Sequence, residues 1–281
     1  MKLLKFIVYI LLTAAVAFAV IIIGVYSFGL QEKASHSFAN FLPLPEALVG
    51  TTLILGNEVS ARLAGFEQIS PEIEVERKFV RDSLIREAIV ERELKKRNLQ
   101  VTRQELDTYY VYLQKSLELG GSSQIREKLG WSESEFKRHM VLPELEFAKL
   151  AVAVMAEHKS SDEYAKIVAA LDDLREGKDF AEVVQSHSED ARSMRIAGDI
   201  GYKDLDGFNP WIAAVAKNLQ VSETSGIVIS PEGYEILKVV SRDDSTALPK
   251  LQIRHILVRG LNLSQYLESV KNNYRIFVFN K

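Results

Sequence analysis

The chain has 281 residues, enough for two modest domains and a tail. A formal net charge of −3 with 26% charged residues gives no electrostatic case for a nucleic-acid partner. The absence of cysteine excludes disulfides, thiolate metal sites, a cysteine nucleophile and a lipid attached to cysteine, while leaving the compartment open.

Lys2 and Lys5 precede an uncharged run from Phe6 to Leu30. At a rise of roughly 1.5 Å per residue such a run exceeds the roughly 30 Å of a bilayer's hydrocarbon core. A signal peptide has an apolar region of only about 7–15 residues and ends on small residues. This run is longer, and Ile21-Ile22-Ile23 is bulky. The pattern predicts an uncleaved transmembrane helix within 1–30. Basic residues before it place the N-terminus in the cytoplasm and the bulk of the chain outside the cytoplasmic membrane. Residues 31–50 read as a linker, because Ser35, Ser37, Asn40, Pro43 and Pro45 interrupt any periodicity. Thr51 to Leu55 is a short β-branched patch that suits a strand or a helix start.

Residues 57–158 carry helical periodicity. Ser70-Pro71 has the form of an N-cap followed by proline at the first helical position. Val80, Leu84 and Ala88 share one face, flanked by Ile85 and Ile89, and Asn98 ends the helix. Thr102-x-x-Glu105 and Ser132-x-x-Glu135 are capping boxes that open later helices, with Gly120-Gly121 between them. Tyr109, Tyr110 and Tyr112 suit either a core or a groove for apolar peptide. The mixed charges of Arg77, Lys78, Arg81 and Glu87 read as a solvated face.

A third capping box, Ser160-x-x-Glu163, opens the last part of the chain. Ile167, Leu171 and Leu174 form an apolar face that ends at Gly177. Ser188-Glu189-Asp190, a polar run and Gly198-Asp199-Ile200-Gly201 follow, then an amphipathic segment from Pro210 to Leu219. Tyr234 to Val240 and Leu251 to Arg259 read as strands, Ser264 to Asn272 as a helix, and Arg275 to Phe279 as a final strand.

In that order the pieces from Ser160 to Arg242 resemble the parvulin family of peptidyl-prolyl isomerases. The family's domain begins with a strand like His-Ile-Leu-Val, and nothing before Ser160 matches it. The match is His255-Ile256-Leu257-Val258, near the C-terminus. The resemblance thus implies that the first strand of a parvulin-like domain has moved to the end of the chain, as in a circular permutant; a truncated second repeat is the other explanation. The helical block resembles the chaperone domain of SurA-like and PrsA-like foldases, on the Ile85–Asn98 helix, the Leu99-Gln100-Val101-Thr102 turn and Leu129-Gly130-Trp131-Ser132.

These resemblances imply an α+β protein: a transmembrane helix at 1–30, a linker at 31–50, an all-α chaperone-like domain at 51–158 and a parvulin-like domain with a small antiparallel sheet at 159–281. They imply His255 and Asp190 as catalytic positions, with Ile200, Phe208 and Ile212 as the apolar floor for a proline ring. Glu235 stands where the family has a second histidine, and a carboxylate there would raise the pKa of His255. Read as residues alone, His255 on an apolar strand is as well explained as core, Asp190 as a cap of the following turn, and Phe208 and Ile212 as ordinary core. His36, His139, His158 and His187 have no metal-ligand spacing, and no phosphate loop or nucleophile elbow is present, so no cofactor is expected. The function implied is a membrane-anchored foldase, a prolyl isomerase with chaperone activity on unfolded or proline-containing secreted or envelope polypeptides. The alternative is a chaperone whose parvulin-like domain only binds peptide.

Overall fold

The structure, a computed structural model, describes residues 44–69, 72 and 74–279. The expected transmembrane helix, the linker up to residue 43 and the Ser70-Pro71 cap lie outside them. Among the described residues no helix is long and apolar enough to cross a membrane. The fold is mixed α+β with two small antiparallel sheets. Two compact units divide it, one made of the N-terminal residues to Ile89 with Lys271–Lys281, the other of Val90–Val270.

In the first unit a hairpin joins β1 (Pro45–Val49) to β2 (Thr52–Leu55), turning at Gly50, whose φ is 58°. The C-terminal strand β7 (Ile276–Val278) pairs with the other edge of β1, giving the order β2-β1-β7. This corrects two expectations. Residues 45–49 are a strand and no linker, and the final strand pairs with β1, outside the sheet of the parvulin-like part. Alternation explains both: Ala47 and Val49 are fully buried, which needs a sheet face to hide. α1 (Gly56–Ile69) follows, and α2 (Arg77–Lys96) buries Val80, Leu84, Ile85, Ala88 and Ile89 as its spacing predicts. Arg62 holds Glu87 through both terminal nitrogens, at 2.5 and 2.7 Å. The boundaries between these units fall inside α2 and at the end of α11 (Leu263–Lys271).

The second unit begins with helices. α3 (Arg103–Ser116) opens on the Thr102/Glu105 capping box, and α4 (Ser122–Leu129) follows it. α5 (Glu133–Phe136) opens on the Ser132/Glu135 box and passes through one π turn into α6 (Leu142–Glu157). Tyr109 and Tyr110 belong to their core, packed with Ile125, Leu129, Trp131 and Phe136. α7 (Asp162–Arg175) is capped by Ser161, whose side chain accepts from the Tyr164 amide, one residue later than the expected Ser160. α8 (Phe180–His187) and the short α9 (Ala191–Met194) lead to β3 (Asp199–Asp204). A 3-10 turn at Leu205–Gly207 precedes α10 (Pro210–Ala216), β4 (Val228–Ser230), β5 (Gly233–Asp243) and β6 (Lys250–Arg259).

The sheet order is β3-β6-β5-β4, all antiparallel. β6, the last of these strands in the chain, therefore lies between two that precede it. It pairs with β5 from Gly233↔Arg259 to Asp243↔Lys250 and with β3 from Asp199↔Arg254 to Asp204↔Lys250. Leu251, Ile253, Ile256 and Val258 are fully buried. Beyond the end of β3 the free edge of β6 is met by a loop: the Glu189 amide donates to Leu257 O, the Leu257 amide to Ser188 Oγ at 3.2 Å, and the Arg259 amide to Glu189 Oε2 at 2.9 Å.

A chain ending at Asp244 lacks that central strand. Each buried backbone group left unpaired costs about 1–3 kcal/mol, against about 5–15 kcal/mol for a whole domain. The expected outcome is loss of amide protection across residues 160–240 in hydrogen exchange; protection retained in β5 would contradict it.

Candidate active site

His255 lies on β6 and is 6% exposed. Its ring is held on both sides. Nδ1 is 2.8 Å from Glu235 Oε2, and Nε2 is 3.1 Å from both Asp190 Oδ2 and Ser193 Oγ. The pairing explains the first contact. His255 lies opposite Leu237, so Glu235, two residues away on β5, is its diagonal neighbour on the same face. The second contact comes from the start of α9. Asp190 is the N-cap and accepts from the amides of Arg192 and Ser193 at 3.3 and 3.2 Å. Capping and pairing with His255 are thus one geometry, because the amides that fix the carboxylate also aim Oδ2 at the imidazole.

The turn before β3 sets the distance between these pieces. The His255 amide donates to Gly198 O at 2.8 Å, and Gly198 has φ of 81°. A Cβ there would stand 2.4 Å from His255 O and 2.9 Å from Val184, so only glycine permits this approach.

The electrostatics follow from the contacts. Burial alone would push the His255 pKa down, but Glu235 first and then Asp190 overcome it and raise it above 6.5. For Asp190, burial works upward, while hydrogen bonds from Ser193, His255 and the backbone bring the carboxyl down to about 2. The imidazole thus lies between two carboxyl groups, one at each ring nitrogen. Glu235 is 2% exposed, whereas the Asp190 side chain is 21% exposed and faces a cleft.

That cleft, about 1240 Å³, brings together every residue expected of the site: His255, Asp190, Glu235, Ile200, Phe208 and Ile212. Phe208 and Ile212 are buried in the core beneath it and Ile200 packs against that core, so the same side chains serve the core and line the cleft. Asn209 caps α10 by accepting from the Trp211 amide and so fixes Ile212. Three features lie beyond the expected set. Ser193 is 2% exposed and shares the His255 Nε2; its spacing three residues after an Asp N-cap is visible in the sequence. Lys203 stands with Nζ 5.3 Å from the Phe208 ring centre, a cation above the apolar floor. The far wall comes from α3, with Tyr112, Lys115 and Ser116. Lys115 pairs with Asp206, and with Asp204 at 3.4 Å, while Tyr109 meets Trp211 edge-on at 6.2 Å. No local sequence signal reports such contacts between distant segments. Among the described residues no cluster of side chains suits a metal ion.

With apolar side chains beneath, a fixed carboxylate at its side and an imidazole behind that, the cleft can hold a chain that has both an apolar group to bury and a polar group to keep accessible. Residues 139–241 match the family described as Rotamase: PPIC-type PPIASE domain. A stretch of 102 residues is 35% identical to Chaperone SurA of Albidiferax ferrireducens, covering 34% of this chain and 22% of that protein. Foldase protein PrsA of Halalkalibacterium halodurans is 28% identical over 156 residues, 48% of this chain and 47% of that one. Periplasmic chaperone PpiD of Haemophilus ducreyi is 31% identical over 100 residues, 36% of this chain and 16% of that one. The chain therefore carries a parvulin-type, PPIC-type domain and is a homologue of the SurA, PrsA and PpiD chaperones and foldases. The similarity spans less than half the length of each of these relatives.

The raised pKa of His255 fixes a sign. Its pairing stabilises the fold fully below the unfolded value of about 6.5 and is lost as pH rises through the higher folded value. The thermal midpoint of the wild-type chain should fall across that window, and His255→Gln, which cannot carry the charge, should flatten the slope. The midpoint measured by calorimetry against pH checks this; identical slopes would contradict it.

Proposed function

We propose that the chain is a foldase whose cleft binds Xaa-Pro segments of unfolded polypeptides and accelerates their cis–trans isomerisation. The observation that carries this is one cleft holding Phe208, Ile212 and Ile200 beneath and Asp190 backed by His255 and Glu235 at its side. Rotation about the prolyl amide is slow because resonance places partial double-bond character in C–N, negative charge on oxygen and positive charge on nitrogen. Phe208 and Ile212 take the ring. Asp190, ionised to low pH, presents negative charge towards the amide oxygen, disfavours the charge-separated form and so lowers the twisted state relative to the planar one. His255 and Glu235 act through Asp190 and hold it in place.

A second reading keeps peptide binding without useful catalysis. Both nitrogens of His255 are engaged by carboxylates, so neither is free to meet a substrate. Glu235 in place of the family's second histidine supports it.

The domain organisation belongs to the same proposal. The sheet order, with β6 central and last, supports a circularly permuted parvulin-like domain within 159–281, preceded by a client-binding helical domain at 51–158. The uncharged run from Phe6 to Leu30 after two lysines supports a single-span anchor with the rest extracytoplasmic, and a relative named periplasmic agrees.

In a protease-coupled assay on a short Xaa-Pro peptide, Asp190→Asn should lower kcat/KM about tenfold or more, some 1.4 kcal/mol of transition-state stabilisation. Phe208→Ala should chiefly raise KM. An inactive wild-type chain that still suppresses client aggregation would replace catalysis by the second reading. Full-length protein should resist extraction from membranes by carbonate; release by that wash would overturn the anchor.

A further inference from the structure

The sheet of the first unit has two unlike faces. One is closed, with Ala47, Val49 and Ile54 buried. On the other, Leu48 stands directly between Leu53 and Phe277 in the pairing, so the three form one row across β2, β1 and β7. Leu53 is 48% exposed and Phe277 57%. Alternation along β7 adds Phe279, 44% exposed, and the exposed Arg275 to the same side. The row and its flanks, with Leu55 on β2, carry one positive charge and no negative one. Exposed aromatics of this kind mark an interaction surface rather than chance.

The chain before β1 says what that surface meets. The uncharged run ends at Leu30 and β1 begins at Pro45. At about 3.5 Å per residue at most, the connection keeps this sheet within about 50 Å of a bilayer that holds the run. We infer that this face rests on the lipid surface, with Phe277, Phe279 and Leu53 at the boundary between headgroups and acyl chains and Arg275 among anionic headgroups. Phenylalanine and leucine beside a basic residue are the chemistry that binds there. The inference rests on the proposed anchor. The anchor tethers the chain, and this face would add a second contact that orients its first unit.

The cysteine-free sequence makes the test direct. Single-cysteine versions of the full chain, Phe277→Cys, Leu53→Cys and, on the exposed side of α1, Ala64→Cys, are labelled with an environment-sensitive fluorophore. They are reconstituted in phosphatidylcholine–phosphatidylglycerol vesicles with and without spin-labelled lipid. Labels at 277 and 53 should lose most of their fluorescence to the lipid-borne quencher, and the label at 64 should keep it. Quenching equal at all three positions overturns the inference. So does shielding at 277 from aqueous iodide without lipid quenching, which assigns the face to another segment of the chain, and so does shielding that grows with protein-to-lipid ratio, which assigns it to a second copy. Flotation of the unlabelled chain separates the two ideas. A chain that floats with 277 unquenched refutes the face alone, and a chain that does not float refutes anchor and face together.

Discussion

The insertion of β6 between β3 and β5 is the constraint on which the parvulin-like part depends. It supplies the pairing partner of both neighbours, closes the core with Leu251, Ile253 and Ile256, and carries His255. A strand that comes last of its sheet in the chain can do this because antiparallel neighbours need only a short connection, and the six residues between β5 and β6 supply one. The edge left free beyond β3 is then covered by Ser188 and Glu189, so the segment that satisfies the backbone of β6 also delivers Asp190 to the imidazole. Pairing, edge protection and site assembly are consequences of one placement.

The site itself is a compromise between burial and charge. A histidine that is 6% exposed would lose its proton in an apolar setting, yet two carboxylates reverse that tendency. The two are not equivalent. Glu235 is enclosed against the imidazole, whereas Asp190 is partly exposed and receives two backbone amides besides. Burying an unpaired polar group costs far more than burying a paired one, so the enclosed Glu235 and His255 depend on each other as partners. Asp190 is the member with orbital and solvent access left over, which makes it the group that faces the cleft.

The parts of this arrangement that were legible in the sequence are those with local rules. The capping boxes at Thr102 and Ser132, the buried stripe from Val80 to Ile89, and the strand at Leu251–Arg259 follow from short-range geometry and periodicity. The likeness of His255-Ile256-Leu257-Val258 to a first strand supplied its neighbour, which periodicity alone does not. What escaped has no local signature. β1 contains a proline and a buried glutamate, Pro45 and Glu46, which read as a connector until Arg77 is seen to hold Glu46 at 2.8 Å. β7 is three residues long and finds its partner more than two hundred residues away. The shift from Ser160 to Ser161 is a choice between two adjacent serines of equal capping ability, which local sequence does not distinguish.

The wall given by α3 changes what the cleft can select. On the proposed function, a floor of Phe208 and Ile212 alone would hold a proline ring and leave the flanking residues in water. With Tyr112 and Lys115 opposite, all within one compact unit, a peptide also meets an aromatic edge and a cation already engaged by Asp204 and Asp206. Those exposed ion pairs are individually weak, at roughly 0–1 kcal/mol. They therefore exchange at little cost for contacts with a bound chain, and an acidic residue beside the proline would compete for Lys115. On the proposed function, sequence preference around a bound proline would then reside in α3, outside the floor of Phe208 and Ile212.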